Sequence, residues 1–339
     1  MPVLALLLAS VLHANDAAVG GAGASAFPIE RTDVRLVREL VVFQEVGDSL
    51  QVTADLHFRH DGPQPITLQL GFPARSRGDW EGDPEVHDFA VWVDGQPAVV
   101  NRVDVDADAH REDWWEEVFL FEARFPPHAD VQVLHTYRLT QGVDVMGTRF
   151  TQYVLRTGQG WAGAIGEARF SFRFARPPVG LTVRSGDEDL PLGAREPRGG
   201  RPGVSYVAGP SASLELVYRN VEPQGDVWVR WGGDPFWQLP VLDAGADADI
   251  PCGIQIQQWY RDLDTPVWRA HPLPDAGLLA CYEPALLRNL LYASRGYPFE
   301  KAGWKKTFAG MFPDSEIPFD PAWLTGAEKL AIEALQQVE

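Results

Sequence analysis

A strict alternation of apolar and polar residues constrains this chain more than any other feature. Leu50, Val52, Ala54, Leu56 and Phe58 alternate with Gln51, Thr53, Asp55, His57 and Arg59. A period of two puts the apolar set on one face of a strand and would scatter it around a helix. The segment His60 to Gln64 (HDGPQ) carries turn chemistry, so this run and Ile66, Leu68, Leu70 and Phe72 are expected to pair as a hairpin with one apolar face. Asp94 and Gly95 mark a second hairpin, and further alternating runs follow at 118–125, 131–139, 153–156, 168–174, 213–218 and 227–231. Short strands separated by Gly and Pro turns, with no long helical period before residue 240, predict an antiparallel β-sandwich over 15–240.

Composition narrows the partners. Among 339 residues, 47 Asp and Glu oppose 29 Lys and Arg for a formal charge of −18, which argues against nucleic acid, whose binders cluster cations. The hydrophobic share of 45% and charged share of 22% are those of a folded protein. Val3 to Leu12 (VLALLLASVL) is apolar apart from Ser10 and ends near the small residue Ala14. It is too short to cross a bilayer, which takes about 20 residues. Residues 1–14 therefore read as a secretory signal cleaved after Ala14, and the mature protein is expected to be exported, periplasmic or extracellular, without a membrane span. Cys252 and Cys281, the two cysteines of the chain, are expected to form a disulfide in that compartment.

The block from Tyr153 to Phe174 (YVLRTGQGWAGAIGEARFSFRF), with the polar start at Asn15 and the Gly-Phe-Pro at 71–73, resembles an uncharacterised family of exported bacterial proteins with an N-terminal β domain. That resemblance implies fold and compartment, and no chemistry.

Near residue 240 the style changes. Asp243 to Asp249 (DAGADAD) reads as a linker, and Pro251, Pro266, Pro272 and Pro274 punctuate a connector over 241–275. Helical period then takes over. Pro284 suits a first turn, Leu286, Leu287, Leu290 and Leu291 form an apolar face, and Gly296 ends it. Arg288, Tyr292 and Arg295 fall at i, i+4 and i+7 on another face. A short helix is expected to carry Trp304 and Phe308 on one side and Lys301 and Lys305 on another, and a last helix to open with a Thr325/Glu328 capping box and bury Ala327, Leu330, Ala331 and Leu335.

This stretch resembles the YARHG domain, a small helical module of exported bacterial proteins named for a Tyr-Ala-Arg-His-Gly motif. Here the motif reads Tyr292, Ala293, Ser294, Arg295, Gly296, with Leu287, Arg288 and Asn289 before it and Tyr297, Phe299, Trp304, Phe308 and the Thr325/Glu328 start after it. Ser294 and Arg295 stand where the family has Arg and His, and MFPDS at 311–315 replaces a Trp-Tyr segment. The resemblance implies an all-α module over 276–339 without enzymatic activity. Its expected partner is a cell-wall or surface component, met by Arg288, Tyr292, Arg295 and Trp304.

Other chemistry is sparse. Asp104, Asp106 and Asp108 have the spacing of the first EF-hand ligands, but Ala109 replaces the required Gly and Trp115 the bidentate Glu, so no metal or other cofactor is expected. His57 and His60 should point to opposite faces of a strand. Adjacent Trp114 and Trp115 would turn one ring outward, where it could stack on a sugar. No G-x-S-x-G, H-E-x-x-H or P-loop string occurs. The rival to a binding protein is an envelope hydrolase using carboxylates of the acidic loops 77–88 and 104–115. A third reading is a structural module that holds a partner at a sheet edge.

Overall fold

The computed structural model describes residues 17–20, 27–28, 33–76, 85–104, 115–153, 155, 158, 160–193, 197, 201–209, 211–222, 225–242, 250–263, 265, 273–315 and 317–339. The signal segment and the linker at 243–249 lie outside them. Strands fill the first two thirds of the chain. They are β1 (Ala17–Gly20), β2 (Phe27–Pro28), β3 (Val34–Val46), β4 (Ser49–His60), β5 (Ile66–Ser76), β6 (Val86–Val93), β7 (Gln96–Pro97), β8 (Asn101–Asp104) and β9 (Trp115–Phe125). After them come β10 (Asp130–Thr140), β11 (Gly142–Val143), β12 (Thr148–Tyr153), β13 (Ile165–Arg173), β14 (Thr182–Ser185), β15 (Glu188–Leu190), β16 (Gly203–Val207), β17 (Ser213–Val221) and β18 (Val227–Gly232). Helices follow: α1 (Asp234–Trp237), α2 (Cys252–Asp262), α3 (Ala276–Cys281), α4 (Pro284–Ser294), α5 (Ala302–Thr307) and α6 (Gly326–Val338). The protein is thus mainly β, with a few helices.

The strands build three sheets, ordered β2-β1-β5-β9-β8, β16-β17-β13-β3-β4-β10-β6-β7 and β11-β12-β18-β14-β15. Val52 lies opposite both Phe43 and Tyr137, so all three side chains share one face of the large sheet. On that face Tyr137 meets Phe72 of β5 at 5.1 Å between ring centroids, and Phe43 meets Tyr153 of β12 at 6.0 Å. Strands of both smaller sheets therefore close one core with the large one.

Two expectations about pairing are corrected. The turn at His60 to Gln64 does not close a hairpin: β4 pairs with β3 and β10, while β5 crosses into another sheet between β1 and β9. The turn residues dictate a reversal, and the face available for burial decides which sheet receives the next strand. Nor is the large sheet wholly antiparallel. β3 and β13 run parallel, with Phe43 stacked on Phe172 at 4.4 Å. The Asp94–Gly95 hairpin forms between β6 and β7, with φ of 47° and 75° at its two central residues, as a type I′ turn requires.

A register shift between Leu36 and Arg38 changes the phase of β3. Before it Val34 and Leu36 are buried; after it Glu39, Val41 and Phe43 are. An extra residue reverses which parity faces the core, and that reversal carries Glu39 inside. There the Tyr153 hydroxyl donates to its carboxylate.

The helices share a second buried cluster, in which Ile256, Trp259, Leu278, Leu287, Leu290, Ala331 and Leu335 pack with Val179 and Phe236. The capping box forms as expected: the Thr325 hydroxyl accepts from the Glu328 amide at 3.1 Å, and the Glu328 carboxylate accepts from the Thr325 amide at 2.7 Å. Leu330, expected inside, is 45% exposed. It shares neither the helix face of Ala327, Ala331 and Leu335 nor their packing against α4.

Candidate functional site

The site grows from the way α4 ends. Gly296 adopts φ of 79°, which a side chain would strain, and its amide donates to the Ala293 carbonyl while the Tyr297 amide donates to that of Tyr292. This is a Schellman closure. Its usual apolar contact is present as two aromatic rings, Tyr292 and Tyr297, 5.4 Å apart.

From there a continuous series of rings crosses the surface. Tyr297 meets Phe319 at 5.3 Å and Phe299 at 5.0 Å, Phe299 stacks on Phe308 at 5.6 Å, and Phe308 stacks on Trp304 at 6.0 Å with planes 17° apart. Tyr292, Phe299, Trp304 and Phe319 are half-buried, and Tyr297 is 41% exposed. Phe308 is buried in the helical core, whereas Tyr292, Phe299, Trp304 and Phe319 pack against that core and stay partly open, an arrangement suited to flat amphipathic ligands.

Lysines border this series. The chain has four lysines, Lys301, Lys305, Lys306 and Lys329, whereas its other strong cations are arginines. The first three are exposed, and none forms an ion pair with a described carboxylate. Lys301 is the N-cap of α5, its carbonyl accepting from the Lys305 amide, and at about 100° per residue Lys305 lies about 100° round the helix from Trp304 while Lys306 points away from it. Sequence reasoning singled out Tyr292 and Trp304 but missed Tyr297, Phe299 and Phe319 as members of one surface. It also missed the lysine clustering, which counting Lys apart from Arg would have exposed.

The expected arginines separate from that surface. Arg295 is 1% exposed. Its Nε and an Nη reach the Glu328 carboxylate at 3.1 to 3.3 Å, and its other Nη donates to the Gly209 carbonyl at 2.9 Å. Arg176 donates to the same carboxylate at 2.7 Å and lies over the Tyr260 ring at 4.6 Å. Burial pushes the Tyr260 phenol above its ordinary range, against the opposing pull of Arg176, and its hydroxyl donates to the Pro177 carbonyl at 3.0 Å. Arg295 is therefore spent on joining the helices to loops of the β region. Arg288, half-buried, has Nε 2.7 Å from Glu339 Oε1, a contact ion pair without an aligned N–H. So Tyr292 and Trp304 belong to the ring surface, whereas Arg295 faces the core.

The Cys252 and Cys281 sulfurs are at disulfide distance, with Cα atoms 5.6 Å apart, and the pair ties the start of α2 to the end of α3. Asp104 ends β8 and is exposed; Asp106 and Asp108 lie outside the described residues, as do 77–84 and 105–114, most of both acidic loops. Trp114 and the side chain of Trp115 lie outside them too. Among the described residues no group of three or more His, Cys, Asp and Glu could hold a metal ion, and no helix is long and apolar enough to cross a membrane. His60 is buried with Nδ1 2.9 Å from the Pro126 carbonyl, while His57 sits on the opposite face beside Asp55 and Arg38.

No protein-family model matches the chain, and no curated protein matches it. Among solved structures it is similar to a Legionella pneumophila protein provisionally described as nutrient-binding, at 20% identity and a TM-score of 0.49 over 96% of this chain and 100% of that one. It is also similar to a zinc metallopeptidase of Deinococcus radiodurans, at 12% identity and a TM-score of 0.29 over 60% of this chain and 43% of that one. The chain thus spans less than half of that peptidase.

Proposed function

We propose that the chain is an exported, non-enzymatic protein of the cell envelope. In this reading a β-sandwich over 15–240 carries, through a disulfide-tethered connector, a YARHG-like helical module over 276–339 that binds a cell-wall component. The three sheets closing one core are consistent with the sandwich, and the paired cysteines suit an oxidising compartment. The observation that carries the binding function is the set of partly open rings Tyr292, Tyr297, Phe299 and Trp304, linked through the buried Phe308 and held by the helix end and the second core.

Sedimentation with purified cell-wall sacculi tests this. The full chain should pellet with them, and Trp304→Ala should weaken binding by about tenfold, the size of a lost aromatic contact. A full chain that stays in the supernatant sinks the cell-wall reading. Arg295→Ala is unsuited to this test because it disturbs the buried pairing with Glu328.

A further inference from the structure

We infer that the ring surface takes an acidic polysaccharide, its sugars lying on Tyr297, Phe299 and Trp304 and its carboxylates meeting Lys301 and Lys305. This deepens the binding role proposed above and rests on the same surface.

Charge placement carries the inference. The protein bears a net −18, and many of its described arginines lie within ion-pair distance of its own carboxylates, as in Arg35–Asp61, Arg102–Glu117 and Arg184–Asp189. The lysines break that habit. Three of the four crowd into 301–306, one at the N-cap and two on a helix of six residues, with no described carboxylate partner. An unpaired cationic patch in an acidic molecule attracts anions locally while the remainder repels them. Lys is also the flexible cation, with three donors on a long stem, suited to a ligand whose charges vary in position.

The neighbouring rings decide which anion. Trp304 is half-buried and backed by the buried Phe308; Lys305 follows it directly on α5 and Lys301 is the helix N-cap, its carbonyl accepting from the Lys305 amide, so both ammonium stems start within one turn of the Trp304 ring. A sugar offers an apolar face for the rings and oxygens for the ammonium groups. Nucleic acid fits less well, because its affinity grows with the number of phosphates neutralised and two or three lysines would act against the field of the whole chain. An anionic lipid surface fits less well too. Insertion needs a cluster of protruding apolar side chains, whereas Trp304, Phe299 and Phe319 are half-buried, the exposed ring, Tyr297, carries a hydroxyl, and Ile317 is the single large aliphatic exposed among the described residues of this stretch.

The experiment titrates the full chain with polygalacturonate, neutral dextran, a single-stranded oligonucleotide and vesicles containing anionic phospholipid, following intrinsic Trp fluorescence and co-sedimentation in about 50 mM salt. Polygalacturonate should bind and dextran should not. The double variant Lys301→Gln/Lys305→Gln should weaken polygalacturonate binding by about tenfold, and Lys306→Gln by less than about twofold. Circular dichroism should be unchanged, since all three side chains are exposed. Equal binding of dextran, a double variant that binds like the parent, or tighter binding of the oligonucleotide or vesicles overturns the inference. The two proposals separate cleanly. Sacculi bound with polygalacturonate ignored leaves the cell-wall reading standing and removes this one; the reverse pattern removes the cell-wall reading alone.

Discussion

Glu328 holds two posts at once. Its carboxylate caps α6 through the Thr325 amide and receives both Arg176 and Arg295, all in a wholly buried setting. A buried charge stripped of a partner costs far more than an exposed one. Arg295→Ala should therefore lower stability by about 3 kcal/mol in urea unfolding followed by Trp fluorescence, because Arg176 alone remains on the carboxylate. Arg288→Ala provides the contrast. Arg288 and Glu339 are 24% and 28% exposed, so its loss should cost under about 1 kcal/mol. Equal losses for the two variants would show that the Glu328 pairing contributes nothing special. Arg295 also shows how far a residue can be read from its string. Helical spacing placed it beside Tyr292, and the Tyr-Ala-Ser-Arg-Gly order marked it out, but its partner lies 33 residues away on another helix. No local period encodes that meeting. The ring of Tyr292 was legible because its neighbours Gly296 and Tyr297 follow from helix-end geometry, a local matter.

At the scale of elements, strands were legible and their partners were not. The alternation at 50–58 set β4 to within a residue or two, because one buried face forces period two whatever the neighbour. The destination of β5 depends on which sheet needs covering, which no turn sequence states. The bulge in β3 was equally hidden, since the residue type of Val37, between Leu36 and Arg38, does not mark it as the extra one. Helices are bound differently, through a cross-link. The Cys252–Cys281 disulfide closes a loop of 29 positions between α2 and α3, and such a loop is worth about 3–4 kcal/mol of chain entropy. Reduction, or the Cys252→Ser/Cys281→Ser pair, should lower the thermal midpoint of the helical circular dichroism signal by several degrees. An unmoved midpoint under full reduction would mean that packing around Trp259 and Leu278 alone holds α2 against α3.

For the whole molecule, the buried tyrosines set an alkaline limit. Burial pushes the phenols of Tyr206, Tyr218, Tyr260 and Tyr282 upward, that of Tyr282 to about 12, while an unfolded chain ionises them near 10. Above about pH 10 the unfolded state holds fewer protons than the folded one, so stability falls as pH rises. The contribution is complete below that pH and is lost on the way up through the folded values. Each fully shielded phenol adds about 1.4 kcal/mol per pH unit to the slope. Growing self-repulsion of a −18 chain acts in the same direction, so the tyrosine part must be isolated. The Tyr206 and Tyr282 hydroxyls have no hydrogen-bond partner among the described residues, which makes Tyr206→Phe and Tyr282→Phe close to neutral at pH 7. Urea midpoints between about pH 8 and pH 11 should fall more gently for the double Phe variant than for the parent. The tyrosinate absorbance of Tyr206 and Tyr282, read as the difference between parent and double Phe variant, should rise together with unfolding, not ahead of it. Parallel curves for parent and variant would assign the alkaline loss to net charge and acquit the buried phenols.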